Sequence, residues 1–463
     1  MTQAGEPTDG DARVQDLVAR LGADIVRTSA EQREAYRYDW ARDPDAQLPL
    51  AVVLPREVGQ VQETMRWATE HGVVVVPRGA GSGLSGGASA QPDGIVLCLE
   101  RMTTIEVDPA TRTARAQAGA LNVDIKKVAA KDGLWYPPDP SSYEISTIGG
   151  NVATNAGGLC CVKYGVTVDY IMGLQVVLAD GRLIELGGPR IKDVAGLNLI
   201  KLLVGSEGTL GIVTQVLCRL VPKLAAPATL VAMFATVEDA ARAVVATCAT
   251  SRPSMVELMD NASINAVEDF QPMGLDRSVG AMLLIQSDAA GESRTLELQA
   301  AREACEQAAA QEIFETDDPA EGEMFVQARR AVFPAVERLG AYMLEDVGAP
   351  VPKLPELVGG VAAIAAEHDL RIVTVAHAGD GNAHPVIVYD ATDADEKARA
   401  ARAFTEIMAL ALSIGGTITG EHGIGRLKQP LLRNQLGDDV LDLQHAIRKV
   451  WDPDGLLNPG AGY

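Results

Sequence analysis

Pro77-Arg78-Gly79-Ala80-Gly81-Ser82-Gly83-Leu84-Ser85-Gly86-Gly87 follows the apolar run 73–76 and carries a literal GxGxxG at Gly81, Gly83 and Gly86. A dinucleotide fingerprint of that form needs a helix to begin at its glycines, so that the helix N-terminus meets the pyrophosphate. Here the chain continues Gly87-Ala88-Ser89-Ala90-Gln91-Pro92-Asp93-Gly94 and enters another strand-type run. No helix fits, and a nicotinamide-binding Rossmann unit is excluded on that ground. Glycine at this density costs conformational entropy on folding. One use for it is a loop whose successive N–H groups converge on an anion. A plain turn is the alternative, and the loop taken alone favours the turn.

The loop is one of three. Ile148-Gly149-Gly150-Asn151-Val152-Ala153-Thr154-Asn155-Ala156-Gly157-Gly158 is a second Gly/Asn cluster, and Gly205-Ser206-Glu207-Gly208-Thr209-Leu210-Gly211 is a third. Read as three loops of one domain, they imply a long phosphate-bearing ligand draped over several backbone turns.

The chain has 463 residues, enough for two or three domains, with 47% hydrophobic and 22% charged residues, a globular composition. Acidic residues number 62 against 40 basic, a formal charge of −22. Such a field repels nucleic acid and anionic lipid, so neither is an expected partner. Apolar runs such as 73–76 and 282–285 are far shorter than the ~20 residues of a spanning helix. Residues 1–11 lack the basic and apolar regions of a secretory signal. Cys98, Cys160, Cys161, Cys218, Cys248 and Cys305 show no CxxC spacing and read as reduced, structural thiols. A cytoplasmic protein is expected, with a peripheral place at the membrane and a homodimer left open.

Residues 13–22 read as a short amphipathic helix ending at Gly22. From residue 50 short β-type runs (51–54, 73–76, 95–99, 113–116, 173–178, 211–220) alternate with helical stretches such as 59–71. Residues 222–227 read as a linker. Beyond it, strands 230–234 and 281–286 and Ala/Glu-rich helices such as 292–310 predict an antiparallel sheet covered by helices, an α+β domain.

Two motifs hold half of the six histidines. His377-Ala378-Gly379-Asp380-Gly381-Asn382-Ala383-His384 lies between apolar runs 372–376 and 385–389, and Gly-Asp-Gly-Asn is a strong turn signal. The spacing predicts a hairpin with His377 and His384 side by side. Gly420-Glu421-His422-Gly423 sits in a second glycine-rich run, 415–425. Two imidazoles and a carboxylate match a catalytic metal site that keeps a position open. A single histidine is more often a hydrogen-bonded core or turn residue, but the pairing across a turn favours metal.

These segments, in this order, resemble the FAD-linked 2-hydroxyacid dehydrogenases of the vanillyl-alcohol oxidase superfamily, which has a PCMH-type FAD-binding domain. That group includes the glycolate oxidase flavoprotein subunit, D-lactate dehydrogenase and D-2-hydroxyglutarate dehydrogenase. The three clusters, Pro138-Asp139-Pro140-Ser141 and the stretch 452–460 carry the resemblance across most of the chain. It implies two α/β subdomains around FAD plus a cap domain with an antiparallel sheet covered by helices. The expected divisions are a helical segment at 1–45, the FAD domain at 46–225, the cap at 226–412, and a returning segment at 413–463. FAD would be held by Pro77, Arg78, Gly79, Ala80, Gly81, Ser82, Gly83, Leu84, Ser85 and Gly86 at the pyrophosphate. Around adenine, ribose and flavin the resemblance implies Pro138, Asp139, Ser141, Gly149, Gly150, Asn151, Thr154, Asn155, Gly157, Gly158, Tyr164, Glu207, Gly208, Gly211, Ile212 and Asn458. It further implies His377, His384 and Glu421 as ligands of a divalent metal, Zn or Mn, with His422 as catalytic base and Arg329 on the substrate carboxylate. Without the resemblance, Arg329 beside Arg330 reads as a surface helix residue.

The expected reaction is oxidation of a small D-2-hydroxy acid to the 2-oxo acid, the C2 hydride passing to flavin N5 and the hydroxyl proton to His422. Family members acting on 2-hydroxyglutarate carry Thr, Lys and Asn where this chain has Phe333, Leu344 and Val386. A second substrate carboxylate would meet only apolar groups there. Glycolate, D-lactate or a similar monocarboxylate is therefore expected ahead of D-2-hydroxyglutarate, and the electron acceptor (a flavoprotein, quinone or cytochrome) stays open. The rival readings are a metal-dependent hydrolase, a flavin electron-transfer module without its own substrate, and the metal-free ether-lipid synthase branch. Residues 78–87 contain no His or Cys, so the flavin is expected to be non-covalent. Acid or heat denaturation should release it into the supernatant; flavin remaining on the precipitated polypeptide would contradict this, and Cys160 would be the first attachment site to map.

Overall fold

A computed structural model describes residues 11–463, and the chain falls into two compact units. Residues 1–10, most of the stretch read for a secretory signal, lie outside the described residues. Unit 1 comprises residues 11–156, Val166–Lys223 and Glu421–Tyr463; unit 2 comprises Gly157–Gly165 and Leu224–Gly420. Among the described residues no helix is long and apolar enough to cross a membrane.

Among the described residues unit 1 contains two larger sheets and one two-stranded pairing. Ala51–Val53, Gly94–Cys98 and Val74–Arg78 run parallel as neighbours in that order, with the short Val26–Arg27 antiparallel on the far side of Ala51–Val53. These are continuous apolar runs because both faces are covered: nearly every residue of the three is buried. The crossover is Val58–His71, whose buried Val61, Thr64, Met65 and Ala68 recur at helical spacing and pack on the sheet. It ends at Gly72, left-handed at φ 62°. Ala12–Leu21, capped by the Asp11 carboxylate on Arg13 N–H at 2.9 Å, adds Val14 and Leu17 to the same core. The second sheet is antiparallel throughout, in the order Ile105–Asp108, Thr113–Gln117, Ile212–Arg219, Ile171–Val177, Leu183–Gly187.

The stretch 148–158 is not all loop, as the glycine count suggests: only residues 155–158 are irregular. Ile148–Thr154 is a short helix, capped by Thr147 Oγ1 on Gly150 N–H and ended by Asn155 at φ 53°. Its glycines serve close approach: a Cβ on Gly149 would lie 2.9 Å from the Ala118 carbonyl oxygen. The residues read as a linker also begin with a pairing, Val221–Pro222 against Leu134–Trp135.

Unit 2 is an antiparallel sheet in the order Glu312–Thr316, Ala228–Phe234, Ala281–Ser287, Met255–Asp260, Arg371–His377, Asn382–Tyr389, Ala341–Leu344, with Val347–Gly348 also pairing Asn382–Tyr389. Side chains alternate between its faces. Met255, Met259, Val373, Val375, Val386 and Val388 share one face with residues of the helices Asn261–Phe270, Pro319–Arg330 and Val332–Val336. Helices Val237–Thr250, Glu292–Gln307, Leu354–Glu367 and Ala394–Ser413 also pack on the sheet. The chain is α+β.

The segment Glu421–Tyr463 is built into unit 1. Leu457 lies parallel to Val75 at the outer edge of Val74–Arg78, with Val75 N–H on Leu456 O (2.8 Å) and Asn458 N–H on Val75 O (2.9 Å). Glu207 clasps its other end: the two carboxylate oxygens accept the N–H groups of Ile424 and Gly425, both at 2.8 Å. Burial pushes the Glu207 carboxyl from 4.5 up to about 7, against the opposing pull of those two amides. A raised folded-state pKa means that the folded chain holds this proton more tightly than the unfolded chain. The group's contribution to stability is therefore full below pH 4.5 and is lost as pH rises through 7. We expect the thermal midpoint of the wild type, relative to Glu207→Gln, to fall between about pH 5 and pH 8. A difference that stays constant with pH would refute the assignment.

Candidate functional site

The parallel strand Val74–Arg78 delivers the glycine loop at its carboxyl end, where open α/β sheets bind ligands. No helix follows within residues 79–94. The loop is instead braced from behind by residues 38–41, which sequence reading did not single out. Trp40 N–H donates to Gly81 O (3.1 Å) and Ala41 N–H to Gly83 O (3.2 Å). The buried Asp39 carboxylate accepts Ala88 N–H (3.2 Å) and Ser89 Oγ–H (3.0 Å). Arg78 Nη1 donates to Tyr38 O at 2.9 Å and Ala88 O at 3.3 Å, so its guanidinium holds the loop's shape.

Unit 1 gathers most of the expected flavin residues around this loop. Gly79 abuts Thr147, the cap of Ile148–Thr154. Asn122 Nδ2 links Pro138 O (3.2 Å) to Asn151 Oδ1 (3.0 Å). Glu207 N–H donates to Ala153 O at 2.8 Å, and Gly208 approaches Pro77. Asn458 Nδ2 donates to Gly87 O and Glu207 O, both 2.8 Å. Gly211 and Ile212 open the strand Ile212–Arg219. Gly157, Gly158 and Tyr164 belong to unit 2, where Lys163 Nζ and Tyr164 Oη–H both meet the half-buried Asp288. Cys98 Sγ–H reaches Gly79 O at 3.3 Å, but burial pushes this thiol up to about 12, which makes it a poor nucleophile.

His422 and Glu421 start the returning segment of unit 1. His422 O accepts from Ser85 Oγ–H at 3.1 Å, and Arg426 N–H donates to Ser85 O at 3.0 Å. Glu421 Oε1 and His422 Nε2 are 3.9 Å apart.

In unit 2 the hairpin forms as its turn signal predicts: Arg371–His377 pairs Asn382–Tyr389, with His377 opposite Asn382 and Val375 opposite His384. The two histidines are thus diagonal neighbours on one face, not directly opposed. Their rings are buried, 5.0 Å apart and edge to face. Two wholly buried acids that sequence reading missed stand behind them. Glu257 lies opposite His377 on the neighbouring strand, and its Oε1 is 2.7 Å from His377 Nδ1. Its Oε2 is 2.8 Å from Arg329 Nε, close enough for an ion pair though not aligned as a hydrogen bond. Asp346 Oδ1 is 3.7 Å from His384 Nδ1 and accepts Asn382 Nδ2–H at 2.9 Å. Asp346 Oδ2 accepts Thr419 Oγ1–H (2.8 Å) and Gly420 N–H (2.9 Å), which fixes the residue that precedes Glu421. Arg329 is 6% exposed and so is not the surface residue its sequence position suggests.

A glycine-backbone cradle, two buried imidazoles backed by carboxylates, and a buried guanidinium are now in view. A family model described as FAD linked oxidases, C-terminal domain, matches residues 223–461, and one described as FAD binding domain matches residues 49–187. The chain belongs to the FAD-linked oxidases. This oxidase is 39% identical to glycolate oxidase subunit GlcD of Bacillus subtilis (strain 168) over 449 residues, 96% of this chain and 95% of that protein. It is 33% identical to a D-lactate dehydrogenase of Archaeoglobus fulgidus over 436 residues, 92% of this chain and 95% of that one. A crystal structure of p-cresol methylhydroxylase superposes with a TM-score of 0.80 over 99% of this chain and 97% of that chain, at 18% identity, a likeness of fold. The chain is an FAD-linked oxidoreductase, and the backbone-lined loop of unit 1 fits an anionic dinucleotide.

Gly425 tests the join between the loop and the returning segment. Its φ is +54°, and a Cβ there would lie 1.9 Å from Ser85 O. Gly425→Ala should lower flavin content and the thermal midpoint together, since a left-handed non-glycine residue alone costs about 1–2 kcal/mol. Wild-type flavin content at an unchanged midpoint would show that the contact is not needed.

Proposed function

We propose that this oxidase converts a small D-2-hydroxy monocarboxylate, such as glycolate or D-lactate, to its 2-oxo acid. In this reading FAD is held non-covalently and a divalent cation, Zn²⁺ or Mn²⁺, by His377, His384 and Glu421. The observation that carries the reading is the Glu257 carboxylate, which joins a hairpin histidine to a buried guanidinium and so puts metal-type donors beside a carboxylate-binding group. The names of the relatives, glycolate oxidase subunit and D-lactate dehydrogenase, support the substrate class. The donor set fits a cation: His377 Nδ1 meets a carboxylate, Glu257, the arrangement that orients a metal-ligating histidine. Glu421 follows Gly420, which Asp346 anchors in the unit that carries the histidines.

FAD, when bound, accepts the C2 hydride at N5, and a divalent cation, when bound, acidifies the substrate hydroxyl. The side chains do the rest. Arg329 holds the substrate carboxylate and so fixes which face of C2 is presented. His422 takes the hydroxyl proton on an imidazole nitrogen as the C–H bond breaks. Phe333, Leu344 and Val386 supply no polar group for a second carboxylate: Phe333 stacks edge to face on Tyr342, and Leu344 pairs Val386 across the strands. That supports a monocarboxylate over 2-hydroxyglutarate.

The experiment is an anaerobic screen of D- and L-2-hydroxy acids for bleaching of the flavin spectrum. Glycolate and D-lactate should reduce the flavin and L-lactate should not; no bleaching by any hydroxy acid would reject the reading. His377→Ala should keep flavin and lose both metal and most turnover. His422→Ala should keep flavin and metal while single-turnover reduction slows by roughly 10²–10⁴-fold. If excess metal restores that rate, His422 is not the base.

A further inference from the structure

Glu257 is the one charged side chain in Met255-Val256-Glu257-Leu258-Met259, the body of a strand in which every residue of that stretch is buried. Holding an ionised carboxylate in a sheet interior costs several kcal/mol unless its oxygens are matched. Both are matched, by different partners: Oε1 by His377 Nδ1 at 2.7 Å, Oε2 by Arg329 Nε at 2.8 Å. Among the described residues Arg329 Nη2 is buried without a hydrogen-bond partner, so that edge of the guanidinium fork remains for an anion.

We propose that Glu257 is a positioning residue that sets His377 and Arg329 at once, one carboxylate oxygen to each. This rests on the metal and carboxylate roles proposed above. The carboxylate holds His377 with its proton on Nδ1 and its ring turned so that Nε2 is the donor atom, and it raises that nitrogen's basicity. The same carboxylate holds Arg329 by Nε, so the distance between the cation site and the substrate carboxylate is set by one buried side chain. The strand register makes this possible, since Glu257 and His377 are directly opposed across neighbouring strands. A competing role is charge balance alone, in which Glu257 only neutralises Arg329.

Glu257→Gln separates the two roles, because the amide keeps the volume and an acceptor oxygen but not the charge. Metal-free wild type, Glu257→Gln, Arg329→Met and the double variant would each be titrated with Zn²⁺ and Mn²⁺ by calorimetry, with flavin content recorded as a check of the fold. Glu257→Gln should bind Zn²⁺ about 10- to 100-fold more weakly, the usual effect of removing a carboxylate behind a ligating histidine. It should also raise KM for the hydroxy acid. Arg329→Met should raise KM and leave Zn²⁺ affinity unchanged. The double variant has no unpaired buried charge, so it carries the measurement even if the single Gln variant misfolds, and it should keep the weakened affinity. Recovery of wild-type Zn²⁺ affinity in the double variant would reduce Glu257 to charge balance and overturn the proposal. So would equal Zn²⁺ affinity in wild type and Glu257→Gln. Wild type that takes up neither cation would instead overturn the metal reading, and this proposal with it.

Discussion

The arrangement of unit 1 depends on one buried carboxylate. Glu207 sits at φ 52°, a left-handed backbone conformation that few non-glycine residues hold, in the turn Gly205–Gly208. That turn points its side chain inward, where it is largely shielded from water and the Ile424 and Gly425 amides donate to it. Its own N–H is tied to Ala153 and its carbonyl to Asn458. Three segments far apart in sequence therefore meet at a single residue: the end of the helix Ile148–Thr154, the turn itself, and the returning chain. The glycine loop is closed over by that same chain through Ser85. An uncompensated carboxylate at this depth would be destabilising, so the returning segment has one place to lie.

Unit 2 uses the same device with another purpose. Its sheet carries apolar residues on the face covered by Asn261–Phe270, Pro319–Arg330 and Val332–Val336, and the exceptions are grouped. Glu257, His377 and His384 occupy inward positions where the alternation calls for apolar side chains. Each of the three has a polar neighbour within the unit, so the polar groups form a connected cluster within an otherwise apolar surface.

Much of this was legible in the amino-acid order. Strands Ala51–Val53 and Gly94–Cys98 are short unbroken apolar runs, Ala281–Ser287 carries one at 281–285, and the hairpin announces itself through Gly379-Asp380-Gly381-Asn382. The absence of a helix after Gly86 was equally readable, because nothing in residues 87–94 could start one. The helix Ile148–Thr154 was not, since two adjacent glycines weaken helix propensity, and what sustains it is the Thr147 cap and the flat approach to Ala118. Glu257 and Asp346 escaped for a different reason. A lone acid in a run such as MVELM has no local partner, and its meaning appears only when strand pairing brings residue 377 opposite residue 257. The bracing role of residues 38–41 is hidden likewise, being made of backbone bonds from Trp40 and Ala41 and of an Asp39 carboxylate whose partners, Ala88 and Ser89, lie some fifty residues away.

The stretch around Leu457 that lines the edge of Val74–Arg78 also bears on biogenesis. A ribosome must add residues 224–420 after the glycine clusters and before that stretch emerges. At roughly 5–20 residues per second, the pause is on the order of ten to forty seconds. Throughout it Val74–Arg78 is a bare edge strand, open to pairing with a neighbouring nascent chain. Unit 2, whose segment 224–420 is contiguous, has every strand it needs by the end of that interval. Completion of the first unit therefore waits for residues 421–463, and until they arrive one edge of its parallel sheet has no covering strand.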